Sequence, residues 1–220
     1  MIAPDGFACA VVAGFVAALP SLLVYGRVRR LEDESHRDHL TGLRSGRLLD
    51  DDLALLGRTE APLALLLVDL DDFRRFNELG YREHGDRALQ LAATTIRRTL
   101  QRAGDRIYRM HTAGDEFLIL LTPRSFAQAA AEAERVRRAL ELASVPCSIG
   151  IAYSVGGHRC GLHREELIET ATRNKDRAKR DGKNRIHPPP DEPPPPPVPV
   201  SAVRTGPYLP KMHALNGGRP

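Results

Sequence analysis

Cysteine is scarce: the 220 residues hold three, Cys9, Cys147 and Cys160. An odd, sparse set excludes a disulfide framework and fits a reducing compartment. Surplus charge is also small. The net charge is +4, and it is not gathered into one long tract. That balance suits a membrane surface or an anionic nucleotide; it is too weak to argue for DNA, and no nucleic-acid fold signature accompanies it, so no nucleic-acid partner is expected. A closed metal cage is lacking too. His158, Cys160 and His163 come close, but H-x-C-x-x-H has no fourth ligand, and Gly156-Gly157 marks a loop. What remains is an ordinary globular composition, 42% apolar and 27% charged, in a chain long enough for one domain plus extensions.

Both ends depart from that average. Phe7 to Tyr25 (FACAVVAGFVAALPSLLVY) carries no charge and is about the length that crosses a bilayer as a helix. Arg27, Arg29 and Arg30 follow it, against Asp5 alone on the other side. That asymmetry predicts a single span with the C-terminal part in the cytoplasm, at the inner membrane. A cleaved signal peptide would need positive charge before the run, where no Lys or Arg stands. Residues 1–30 are therefore expected to form a transmembrane anchor with a basic flank, and 31–40 a short charged connector helix with no room for a sensor domain. From 188 to 220 the chain is proline-rich (PPPDEPPPPPVPV within it), which predicts an extended, disordered tail.

Residues 37–187 read as the folded domain. Leu63 to Leu70 (LALLLVDL) is a continuous apolar run of strand length, as a buried central strand requires. Asp86 to Arg102 has helical apolar spacing. Ile107–Thr112 and Glu116–Leu121 read as strands around a tight turn, Ser125–Leu142 as a helix, Cys147–Val155 as a strand, and Arg164–Arg180 as a helix ended by Gly182. The order β-α-α-β-β-α-β-α-β predicts an α/β sandwich, a mixed sheet with helices packed on it.

Two acidic groups stand out: Asp69, Asp71 and Asp72 at the end of the first strand, and Asp115 and Glu116 in the turn Ala113-Gly114-Asp115-Glu116-Phe117. Carboxylates placed so can converge on one sheet edge. Hard oxygen donors suit Mg²⁺ or Mn²⁺ carrying substrate phosphates, and two such ions can activate a hydroxyl and neutralise a leaving pyrophosphate. Gly114, without a Cβ, lets backbone approach a phosphate. Either acidic group alone would equally describe a solvated turn.

Taken together, DHLTGL, DLDDFRRFNELGYREHGD and AGDEF resemble, in order, the GGDEF domain of diguanylate cyclases, from about Arg37 to Ile186. The resemblance implies a nucleotide-cyclase-like fold with a central, mostly antiparallel sheet, and condensation of two GTP into cyclic di-GMP by a face-to-face homodimer. It implies that Asp69, the Leu70 carbonyl and Asp115 bind metal, and that Glu116 assists metal binding or deprotonation of the 3′-hydroxyl. Asn77 and Asp86 would read guanine. Arg74, Lys179 and Lys183 would place positive charge near the triphosphate, and Gly114 would line the substrate turn. Arg102-Ala103-Gly104-Asp105 with Arg135 matches an inhibitory product site. The sequence also departs from the family pattern. Ala113 replaces a glycine, Tyr81 a histidine, His111-Thr112 looks inserted, Ser45-Gly46 replaces Asn-Arg, and Asn174-Lys175-Asp176 replaces a small-apolar-aromatic stretch. These departures leave open a catalytically weak module acting as cyclic di-GMP receptor or interaction platform. Asp86 disfavours a mixed-nucleotide cyclase.

Overall fold

Apolar runs and amphipathic stripes sort this chain into one sheet with helices on both faces. The computed structural model describes residues 37–56, 61–75, 82–110, 114–155 and 164–188. The strands are β1 (Arg44–Ser45), β2 (Leu63–Leu70), β3 (Arg106–Arg109), β4 (Glu116–Leu121), β5 (Cys147–Ser154) and β6 (Ile186–His187). The helices are α1 (Leu49–Leu56), α2 (Arg82–Thr99), α3 (Phe126–Leu142) and α4 (Arg164–Arg180). The sheet runs β1-β3-β4-β2-β5-β6. Its four inner strands pair antiparallel, and the two short edge strands pair parallel to β3 and β5. This is the mixed α/β sheet that the element order predicts.

Strand β2 is buried at every position because it lies between β4 and β5 with helices on both faces. Its even-numbered residues, Ala64, Leu66, Val68 and Leu70, join Phe117, Ile119 and Leu121 of β4 beneath α2 and α3. Its odd-numbered residues, Leu63, Leu65 and Leu67, join Leu118 and Leu120 beneath α1 and α4. The second face is the thinner one. Gly150 of β5 meets α4 so closely that a Cβ built on it would lie 1.9 Å from the Ala171 carbonyl oxygen and 2.3 Å from the Lys175 amide nitrogen. Helix α4 is thus pressed onto the sheet, and this contact sets where its side chains reach.

Local signals hold the boundaries. Ser125 caps α3 and Gln128 returns the bond, a reciprocal capping box. Helix α2 runs from Arg82 to Thr99, starting and ending earlier than its apolar spacing predicts. The chain turns at Gln101–Asp105, where the Asp105 amide donates to the Arg102 carbonyl at 3.0 Å. The connector expectation is corrected where it can be seen: Arg37 makes a bridge to Arg44, and residues 38–41 form a turn, not a helix. Asp38 Oδ1 accepts from the Thr41 amide at 2.8 Å and its hydroxyl at 2.6 Å, and Gly42 takes φ +67°, which folds the segment back. The span expected over Phe7–Tyr25 and the proline-rich tail lie outside the described residues; among those described, no helix is long and apolar enough to cross a membrane.

Candidate active site

The side-chain period of two puts position 69 of β2 on the α4 face, and register does the same for position 116 of β4. Asp69 and Glu116 are direct cross-strand partners. Like charges facing each other across a ladder cost stability, so the pair marks an edge shaped by something other than folding. Gly114, at φ +66°, makes the turn that brings Asp115 to the same edge. The Leu70 amide donates to the Asp115 carbonyl at 3.4 Å, tying the end of β2 to the turn. Arg109 clasps the turn from β3, donating to the Gly114 carbonyl and stacking over the Phe117 ring at 5.2 Å.

Electrostatics follow from this crowding. Burial pushes the Asp115 carboxyl above the usual carboxylate range, and the neighbouring Asp69 charge adds to the shift. Burial likewise raises Glu116, with Lys175 pulling the other way and Asp69 and Asp115 adding to the rise. Burial lowers the Arg109 guanidinium, opposed by the charges of Asp38, Asp115 and Asp86.

Helix α4 supplies the opposing charge. Lys175 and Lys179 are one turn apart on its inner face. Lys179 Nζ donates to Asp69 Oδ1 at 2.5 Å. Lys175 Nζ reaches Asp69 Oδ2 at 3.4 Å and Glu116 Oε1 at 3.1 Å. Three mutually repelling carboxylates fit a hard cation in the chemistry of their donors. Among the described residues, however, no three acidic, histidine or cysteine side chains converge into a ready metal cage. Both Asp69 oxygens are instead on lysine ammonium groups.

The remaining expected residues divide. Arg74 and Asp86 are exposed. Lys183 lies in the turn after α4 and pairs with exposed Asp72 at 2.6 Å, and its hydrogen bond holds Asp72 below the usual carboxylate range. Asp71 is no ligand candidate: it is buried, accepting from the Ser148 hydroxyl and the Asn184 amide, each at 2.8 Å. Asn77, Tyr81, His111, Thr112, Ala113 and the His158–His163 group lie outside the described residues.

Of the expected product site, Arg102 and Arg135 line one cavity of about 310 Å³, with Gln101, Arg124, Gln128, Ala131 and Glu132. Asp105 is brought close but is committed elsewhere. Both its oxygens take Arg124, at 2.9 and 2.8 Å, and Oδ1 also accepts from the Thr122 amide and hydroxyl. Arg124 and Lys175 are the charged residues that reading the sequence for site roles missed. Arg124 had no motif around it. Lys175 did show a signal, a lysine in a stretch where the family pattern is apolar.

The sequence matches the family described as "Diguanylate cyclase, GGDEF domain" over residues 35–185, and the chain belongs to that family. It is 31% identical over 159 residues to diguanylate cyclase DosC of Escherichia coli, covering 68% of this chain and 34% of that protein. It is 32% identical over 172 residues to diguanylate cyclase DgcP of Pseudomonas aeruginosa, covering 71% and 25%. The chain thus spans about a third or less of the length of these curated relatives. In fold it is similar to diguanylate cyclase SiaD of P. aeruginosa, solved with its activator SiaC (TM-score 0.68, 23% identity, 82% of this chain and 72% of that one). It is also similar to the GGDEF domain of DgcB from Caulobacter crescentus, solved with c-di-GMP (TM-score 0.59, 22% identity, 69% and 94%).

Proposed function

We propose that this chain condenses two GTP into cyclic di-GMP, releasing pyrophosphate, as a homodimer in which each subunit presents one GTP. The observation that carries the reading is the carboxylate edge itself. Asp69 and Glu116 face each other across β2 and β4, and Asp115 joins them from a glycine turn in an AGDEF motif. A divalent ion, Mg²⁺ or Mn²⁺, would supply activation of the 3′-hydroxyl and neutralisation of phosphate charge. Asp115 and Asp69, with the Leu70 carbonyl, would hold it. Glu116, whose carboxyl is raised by burial, is suited to take a proton from the hydroxyl. Lys179, Lys183 and Arg74 would supply positive charge to the triphosphate, and Arg differs from Lys there in offering a planar fork. Asp86 and Asn77 would accept from and donate to the guanine edge. Anchoring by Phe7–Tyr25 would keep the domain at the inner membrane, facing the cytoplasm.

Asp69→Ala and Asp115→Ala should each lose product formation in a folded protein. Loss of a key catalytic electrostatic contact costs roughly a hundredfold or more, so either variant keeping more than about a tenth of wild-type activity contradicts the assignment. A second reading, a catalytically weak module that binds cyclic di-GMP, has one observation in its favour: Arg102, Arg124 and Arg135 line a cavity past the far end of β4 from the carboxylate edge, where Asp69 is already occupied by lysine. Product inhibition through Arg102 and Arg135 belongs to either reading.

A further inference from the structure

Lys175 is placed at the carboxylate edge by the backbone, not by a flexible surface stem. Its amide nitrogen is one of three backbone atoms that a Cβ on Gly150 would meet, and the adjacent Asn174 side chain donates to the Ile151 carbonyl at 2.7 Å. Lys175 itself is 8% exposed. From there its ammonium lies 3.1 Å from Glu116 Oε1, 3.4 Å from Asp69 Oδ2 and 3.2 Å from Asp176 Oδ1. The Glu116 and Asp69 oxygens are donors that a divalent ion would draw on. Mg²⁺ needs such oxygens at about 2.0–2.1 Å, so an ion and this ammonium cannot share the bridge.

We propose that Lys175 is a resident cation of the catalytic carboxylates: its ammonium bridges Asp69 and Glu116 in place of a divalent ion, so this chain binds fewer divalent ions than the same chain without Lys175. The inference rests on the nucleotidyl-transfer reading of this edge and deepens it. Lys179 is left to hold the second Asp69 oxygen until phosphate arrives, and any remaining divalent ion is drawn chiefly by Asp115. Removing a unit charge a few ångströms from a bound ion changes affinity by well over tenfold even at an effective dielectric of about 20.

The test is Mn²⁺ binding to the full chain without nucleotide, followed by loss of the free-ion electron paramagnetic resonance signal. Lys175→Met is expected to bind Mn²⁺ at least tenfold more tightly than wild type, and Lys175→Arg, which keeps the charge, to behave as wild type. Equal binding by wild type and Lys175→Met overturns the proposal, as does a gain in Lys175→Arg equal to that in Lys175→Met. A measurement without variants covers the case in which Lys175→Met does not fold. Amine labelling of wild type, read by mass spectrometry, should modify Lys175 far more slowly than exposed Lys183, with or without millimolar Mn²⁺. Labelling that Mn²⁺ accelerates to the Lys183 rate means that the ion displaces the ammonium, and the proposal fails. Product from GTP is scored separately. A Mn²⁺ gain in Lys175→Met with no cyclic dinucleotide from any form sinks the cyclase reading and leaves the resident cation standing. Product from wild type with no Mn²⁺ gain does the reverse.

Discussion

Replacing Gly150 by alanine tests whether the close seat of α4 on β5 sets the geometry of the site. The new Cβ would lie 1.9 Å from the Ala171 carbonyl oxygen and 2.3 Å from the Lys175 amide nitrogen. Both obstacles are backbone, so no rotamer change relieves them. To reach ordinary contact near 3.4 Å, α4 must retreat from the sheet by about 1.5 Å. Overpacking of this kind costs about 1–3 kcal/mol. For a domain of this size that lowers Tm by about 2–4 °C per kcal/mol, hence by roughly 2–12 °C. The same retreat draws Lys175 and Lys179 away from Asp69, and a misplacement near 1 Å can cost about a hundredfold in rate. Circular dichroism melting and product formation, measured below both transitions, would give the two numbers. A Gly150→Ala protein with unchanged Tm and unchanged rate would refute the argument that this contact positions the lysines.

Two further outcomes follow from the electrostatics. Because the folded-state pKa of Asp115 is raised, its ionisation costs stability as pH rises from about 4, the ordinary carboxylate value. Asp115→Asn should therefore melt higher than wild type at pH 7 in metal-free buffer, with the gain vanishing below about pH 4; a wild type as stable as the variant at pH 7 contradicts this. Asp105→Ala leaves Arg124, whose side chain is 2% exposed, with only the longer Glu132 contact at 3.8 Å and should cost about 3 kcal/mol. Arg102→Ala, at an exposed position, should cost under about 0.5 kcal/mol and is the clean variant for product binding by calorimetry; the reverse ranking of the two in urea unfolding would contradict the buried-pair account.

Much of this architecture was legible because hydrophobic pattern and burial coincide. The run LALLLVDL is β2 residue for residue, and the boundaries of α4 agree with its amphipathic stripe and the glycine after it. The AGDEF turn and the strand end at Asp69 were readable as one edge because the motif order implied it, and register confirms that Asp69 faces Glu116. What escaped depends on contacts between distant segments. Helix α2 begins a turn before its apolar spacing does, since its first residues Arg82, Glu83 and His84 are polar and leave no apolar pattern. Strand β1 is two residues long, too short for a periodic signal. Arg-x-x-Asp reads as a free pair, yet Asp105 is spent on Arg124, nineteen residues on. Lys175 read only as an odd residue in a helix, because nothing local shows that Gly150 opposite would let the helix close on the carboxylates.

The central claim is tested most directly by incubating the purified full chain with GTP and Mg²⁺ and separating the nucleotides by chromatography and mass. The account predicts cyclic di-GMP, with two pyrophosphates released for each molecule formed, and no cyclic dinucleotide from ATP alone. No cyclic di-GMP from GTP, or ATP serving as well as GTP, would contradict it.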